Sequence, residues 1–193
     1  MTKEVEKIFT RAGVVQKGHF LLTSGLHSPT YWEKFQVLQF PNYTEQLCRL
    51  IANHFHDQKI EVVAGPTIGG VILAHETARQ LGARSIFAEK ESPGERFFRR
   101  GFSLKPGEQV LIVDDILTTG GSIREVLTAV NKLKAKVIGI GVLVDRSEGK
   151  IDFGLPLFNC LRSEAITYQP EECPLCAARI PLTKPGSSQK SSS

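Results

Sequence analysis

The 193-residue chain contains no apolar run approaching the roughly 20 residues that a membrane-spanning helix needs. Its opening stretch, MTKEVEKIFTRAG, mixes acids with bases and lacks the apolar core of a secretory signal. Cysteine is scarce, with four in all, at positions 48, 160, 173 and 176. Without a signal the expectation is free thiols in a reducing cytoplasm, not a disulfide framework. Neither sign of charge dominates: 24 Lys and Arg stand against 20 Asp and Glu, a formal net charge of +4. No strongly basic stripe or added helix-turn-helix segment is present, so a nucleic-acid partner is not expected. The phosphate-binding pattern G-x-x-x-x-G-K-[ST] is missing, and no internal repeat divides the chain.

What remains is ordinary globular material, 41% hydrophobic and 23% charged, enough for one α/β domain with a full core. Val5, Ile8, Phe9 and Ala12 fall at helical spacing. The stretch 18–35 reads as strands joined by Ser-Gly and Ser-Pro turns, and a helix is predicted over about 44–57. From there the pattern alternates. IEVVAG, RSIFAE, EQVLIVDD, KVIGIGVLVD and LPLFNCL read as strands. Helices are predicted over IGGVILAHETARQLG, stopped by Gly82, and from Ser122 to about Lys134. Such alternation implies a parallel sheet covered by helices on both faces. The segment 90–108 shows no helix, though FFRRGF can pair as a hairpin strand. Residues 184–193 are low in complexity and read as a disordered tail behind a single domain over 1–183.

The informative stretch is VLIVDDILTTGGSIREV, residues 110–126. It places two carboxylates at the carboxyl end of a buried strand, where ligands bind open parallel sheets. Thr118, Thr119, Gly120, Gly121 and Ser122 then lead into a helix N-terminus. Free backbone N–H groups and the helix dipole favour an anion there. A phosphate suits the loop, and two adjacent acids suit vicinal hydroxyls or Mg²⁺; a sugar phosphate has both features. A capped strand–turn–helix would need no more than the acid and the hydroxyls. A P-loop enzyme is excluded by the missing lysine motif. A receiver domain is excluded because it begins with such a strand, whereas this one lies more than halfway along the chain.

VLIVDDILTTGGS resembles the phosphoribosyl pyrophosphate motif of the type I phosphoribosyltransferases. GHFLLTSGLHSPTYW, GPTIGGVILA and VLVDRSEG make the chain most similar to the orotate branch of that family. The resemblance implies the type I α/β fold, with residues 1–40 forming a small hood over the base. It implies a cytoplasmic, Mg²⁺-dependent transferase of pyrimidine nucleotide biosynthesis, acting as a homodimer with shared active sites and needing neither membrane nor nucleic acid. On that resemblance Asp114 and Asp115 hold the ribose hydroxyls, with Mg²⁺ carried by the substrate and touching the two acids at most. The loop Thr118 to Ser122 cradles the 5-phosphate, and Ile116 and Leu117 also belong to the sugar pyrophosphate site. Gly65, Pro66, Thr67 and Gly69 belong to the pyrophosphate loop, and Lys90 serves catalysis. Arg146, Thr118, Ser24, Gly25 and Tyr31 meet the base. Without the family, Arg146 would read as a surface partner of Glu148.

The departures fall mostly in 90–101. The family has a mobile loop there with several lysines and a histidine, closing over the pyrophosphate. This chain keeps Lys90 but continues ESPGERFFRRG, so any further positive charge must come from Arg96, Arg99 and Arg100. Thr23 stands where many members carry a lysine. These differences leave open a transferase for another base, or a regulator that senses the sugar pyrophosphate without catalysis. CPLC at 173–176 has metal-ligand spacing but no second pair; either two copies complete a site across a dimer or the thiols are simply part of a turn. His27 carries no assigned role.

Overall fold

The computed structural model describes residues 2–22, 24–147, 149–163 and 166–185. Thr23, Glu148 and the tail from 186 onward lie outside them. The elements run α1 (Thr2–Arg11), β1 (Val15–Leu21), β2 (His27–Trp32), α2 (Phe35–Leu38), α3 (Pro41–His54), β3 (Val62–Pro66), α4 (Gly69–Leu81), β4 (Arg84–Ser92), β5 (Glu95–Phe98), β6 (Gln109–Leu117), α5 (Gly121–Lys132), β7 (Lys136–Asp145), β8 (Leu157–Arg162) and α6 (Pro174–Ala177).

The continuously apolar strands are buried on both faces, and successive residues feed two different cores. Val62, Ala64, Val110 and Ile112 pack with Ile123, Val126 and Val130 of α5. Their neighbours Val63, Leu111 and Val113 pack with Leu47 and Ile51 of α3 and Leu73 and Ala74 of α4. This period of two is the reason that VVAGP and VLIV contain no polar residue. Burying each large aliphatic side chain contributes roughly 1.5–3 kcal/mol. Among the described residues no helix is long and apolar enough to cross a membrane.

The main sheet has the order β5-β4-β3-β6-β7-β8, parallel throughout except for β5. From β3 the chain builds outward to β4 and β5, then returns to add β6 on the opposite side. The order therefore reverses between β3 and β6, and a crevice opens beyond their carboxyl ends. The 65–70 glycine loop follows β3 and the acid pair ends β6, so both flank that crevice.

β1 and β2 form a separate antiparallel hairpin. It is held from the far end of the chain: Leu21 N–H donates to the Thr183 carbonyl, Thr183 N–H to the His19 carbonyl, and His27 and Tyr168 exchange two backbone bonds. Phe9 of α1 meets Trp32 edge-on at 5.7 Å.

Three local outcomes differ from expectation. The helix predicted from 44 begins at Pro41, because proline suits the first helical turn where its missing N–H costs nothing. The single turn α2 is too short to show a helical period. The 90–101 segment is a hairpin extending the sheet edge, with Lys90 opposite Arg96 and a Pro93-Gly94 turn. Only Phe97 and Phe98 of FFRRGF lie in β5; Arg99 onward turns back, with Arg100 and Gly101 at positive φ.

Candidate active site at the sheet switch point

Asp114 and Asp115 are almost fully buried. Asp114 accepts from Ser122 Oγ at 2.6 Å and from the Asp115 N–H at 2.9 Å. Asp115 Oδ1 accepts from Lys34 Nζ at 3.0 Å and from the Ile116 N–H at 2.7 Å. Asp115 Oδ2 is buried without a partner among the described residues. Burial, and then the charge of Asp115, push the Asp114 carboxyl up to about 6, against the opposing pull of the Ser122 hydroxyl. Two carboxylates at such close quarters are costly, and the Lys34 ammonium offsets part of that cost. Lys34 lies 81 positions from its partner and carries no motif of its own. The sequence signalled it only as a lone cation beside the Tyr31-Trp32 pair.

The 65–70 loop is packed against the acids. A Cβ on Gly69 would sit 1.9 Å from Asp115 Oδ2, and one on Gly65 would sit 2.2 Å from the Gly70 carbonyl oxygen. Only glycine lets the loop approach the acid pair this closely. The Thr67–Ile68 peptide is cis. Across the crevice, α5 starts at Gly121 behind Gly120, whose φ is 76°, and no side chain caps the helix. Its first N–H groups are therefore directed at the crevice, while Thr118 and Thr119 are exposed beside them.

The arginines of the hairpin are already engaged. Arg96 turns inward: its Nε donates to Glu125 at 2.8 Å, and Nη1 donates to Thr67 Oγ1 at 3.1 Å and to the Ala88 carbonyl at 3.2 Å. It thus ties the glycine loop to α5 instead of offering a free charge. Arg99 pairs with Glu91, and Arg100 with Glu89. Lys90 is exposed on β4 beyond Ala88, the last residue paired with β3.

Arg146 follows β7, its N–H donating to the Leu117 carbonyl at 2.8 Å. Its guanidinium lies 5.8 Å from the Trp32 ring centroid. Its Nε is buried without a partner among the described residues, and burial lowers its pKa. The alternative partner Glu148 lies outside the described residues. Neighbouring Asp145 is occupied elsewhere, by Ser147 and Arg162. Tyr31 departs from the expected arrangement. Successive strand residues face opposite ways, and Tyr31 packs on Phe20 at 5.7 Å while Trp32 takes the side of Arg146. Ser24 and Gly25 form an exposed turn, the Gly25 N–H already bonded to Leu22.

The phosphoribosyl transferase domain model matches residues 35–166, a span that contains the acid pair and both anion-receptive loops. The chain is 52% identical to an orotate phosphoribosyltransferase of Thermoanaerobacter sp. (strain X514), over 96% of this chain and 97% of that protein. The chain belongs to the orotate phosphoribosyltransferase family. A second member, from Caldanaerobacter subterraneus subsp. tengcongensis, is also 52% identical, covering 97% of this chain and 98% of its own length. Among solved structures, orotate phosphoribosyltransferase from Aeropyrum pernix superposes with a TM-score of 0.71 at 26% identity, over 82% of this chain and 93% of that one. The Mycobacterium tuberculosis orotate phosphoribosyltransferase in complex with 5-phospho-α-D-ribosyl 1-diphosphate shares the fold, with a TM-score of 0.66 over 82% and 94% of the two chains at 24% identity. Members of this family are pentosyltransferases, and the chain is an enzyme of that class with the type I fold.

Proposed function

We propose that the enzyme transfers the phosphoribosyl group of 5-phosphoribosyl 1-pyrophosphate to orotate, giving orotidine 5-phosphate and pyrophosphate in cytoplasmic pyrimidine synthesis. The observation that carries this reading is the convergence of the acid pair, the 65–70 loop and the uncapped start of α5 on one crevice. The C1–oxygen bond to pyrophosphate breaks, the electron pair leaves with that oxygen, and a ring nitrogen of orotate attacks the opposite face after losing its proton. Configuration at C1 inverts. The chain's task is to hold two anions and an oxocarbenium-like sugar in line.

In this reading Asp114 and Asp115 face the ribose hydroxyls and the N–H groups at the start of α5 receive the 5-phosphate. Gly65 to Gly70 receive the pyrophosphate, with Thr67 held in place by Arg96. Arg146, backed by Trp32, offers a planar fork to the orotate carboxylate. Mg²⁺ fits as an ion borne mainly by the substrate. Of the two carboxylates only Asp115 Oδ2 is unengaged, whereas a hard cation takes about six oxygens. Bound there, it would neutralise charge gathering on the departing pyrophosphate.

The test is the fall in orotate ultraviolet absorbance on adding the sugar pyrophosphate and Mg²⁺, with adenine, hypoxanthine, guanine, xanthine and uracil in parallel. Orotate alone should be consumed. Turnover of another base would overturn the assignment of Arg146, and binding of the sugar pyrophosphate without any turnover would favour the sensor.

A homodimer is part of the proposal. Leu38, Pro41, Val71, Ile72, Phe87 and Phe102 line an apolar groove of about 550 Å³ on the outer side of α4, away from the acid pair. Ile72 in this groove and Phe40, next to its Pro41, are each 39% exposed. Sedimentation equilibrium should give twice the chain mass, and Ile72→Glu should halve it. A monomeric wild type at micromolar concentration would remove the dimer from the reading.

A further inference from the structure

Residues 169–184 hold almost nothing by hydrophobic burial. Among them only Cys173 is buried, while Ile180 and Leu182 are 42% and 45% exposed. Yet this segment grips the β1–β2 hairpin at Thr183. The contact that could anchor it is a four-residue cluster, His19, His27, Cys173 and Cys176, whose ligand atoms all lie within 4.8 Å of one another.

The cluster is poorly explained by hydrogen bonding. His19 Nδ1 lies 2.7 Å from the Ile180 carbonyl oxygen, which can only accept, so the ring proton sits on Nδ1 and Nε2 presents its single lone pair. Three groups converge on that one lone pair: His27 Nδ1 at 3.0 Å, Cys173 Sγ at 3.5 Å and Cys176 Sγ at 3.8 Å. Cys176 Sγ is also 3.3 Å from His27 Nδ1. One acceptor cannot serve three donors, but one cation can serve four. Bond lengths of about 2.0–2.1 Å to nitrogen and about 2.3 Å to sulfur make a tetrahedron with edges of roughly 3.3–3.8 Å. The four separations just given lie within or just below that range, all six lie within 4.8 Å, and the two cysteines are not joined to each other.

We propose that His19, His27, Cys173 and Cys176 form a tetrahedral zinc site within a single chain, structural in role. Four protein ligands leave no open position for chemistry. The Ile180 carbonyl orients His19 from behind, as second partners of metal-bound histidines do. The Cys-x-x-Cys pair spans the one-turn helix α6, where the Ala177 N–H closes onto the Cys173 carbonyl at 3.2 Å. A partner copy is not needed to complete the Cys-Pro-Leu-Cys pair, because two histidines eight residues apart on neighbouring strands supply the missing ligands. The ion would fasten the C-terminal segment to the hairpin that carries Trp32.

Purified full-length protein, desalted after growth with zinc, should contain about one zinc per chain by elemental analysis. A mercurial thiol reagent should release it in step with modification of Cys173 and Cys176. Replacement by Co²⁺ should give intense tetrahedral visible bands with a thiolate charge-transfer band in the near ultraviolet. Cys176→Ser and His19→Gln should each lose the metal and melt at lower temperature. Should those variants fail to fold, the cobalt spectrum and mercurial release on the wild type still decide the matter. Wild type that carries less than about a tenth of an equivalent and takes up none from added Zn²⁺ with its thiols reduced overturns the proposal. So does a weak octahedral cobalt spectrum, or a Cys173–Cys176 disulfide in the cytoplasmic protein.

Discussion

Replacing Asp115 by asparagine is expected to lower the rate of phosphoribosyl transfer by roughly two to three orders of magnitude, the usual consequence of losing one preorganised electrostatic contact. Near-ultraviolet circular dichroism should be unchanged, since asparagine has the same shape and its carbonyl oxygen can still accept from the Ile116 N–H. The variant also reports on Asp114, whose carboxyl is pushed up to about 6 by burial first and by the Asp115 charge second. If the reaction needs Asp114 ionised, wild-type activity rises as pH increases through about 6, and Asp115→Asn moves that limb to lower pH. The same shift touches stability. The folded chain binds this proton more tightly than the unfolded chain does, so the group favours the fold at acid pH and loses that contribution as pH rises through about 6. The ligand-free wild type should therefore show a steeper loss of melting temperature between about pH 4 and about pH 6 than Asp115→Asn. Near-normal turnover in the variant would remove the acid pair from the mechanism.

Gly69→Ala should be nearly as damaging, although it removes no functional group. The added methyl would lie 1.9 Å from Asp115 Oδ2, and the acid cannot easily retreat because Oδ1 is fixed by Lys34 and the Ile116 N–H. Either the carboxylate or the loop must move by about an ångström, a displacement that can cost on the order of 10²-fold in rate. Overpacking of this kind costs stability of only about 1–3 kcal/mol, so the protein should still fold. Steady-state kinetics should show the loss in kcat/KM for the sugar pyrophosphate, accompanied by a modest fall in urea midpoint. A kcat/KM within twofold of wild type would mean that the loop and the acid do not act as one site.

Local pattern carried the sheet, its helices and both anion-receptive loops, because strand and helix periods and glycine-rich turns are properties of neighbouring residues. The acid pair was legible for the same reason. What escaped depends on contacts across long stretches of chain. Lys34 reaches Asp115 across 81 positions. Arg96 looks in sequence like one of three surface charges, yet it points inward because β5 lies under α5 and Glu125 is there to meet it. The sequence assigns Tyr31 to the base, whereas the alternation of β2 turns Trp32 to the side of Arg146 and Tyr31 onto Phe20. The Cys-Pro-Leu-Cys pair was visible, but its histidine neighbours, up to 157 positions away, were not.

The grip of Thr183 and Tyr168 on the β1–β2 hairpin also sets an order of assembly. As the chain leaves the ribosome, the sheet and its crevice have all their strands once residue 162 has emerged. The hairpin made at the start still waits for a strand-like partner some 160 residues downstream, a loop closure that is slow compared with neighbouring contacts. The half of the molecule that carries the crevice can thus have all its strands while the β1–β2 hairpin still lacks its downstream partners. Residues 168–183 are the last of the described hairpin contacts to become available as the chain emerges.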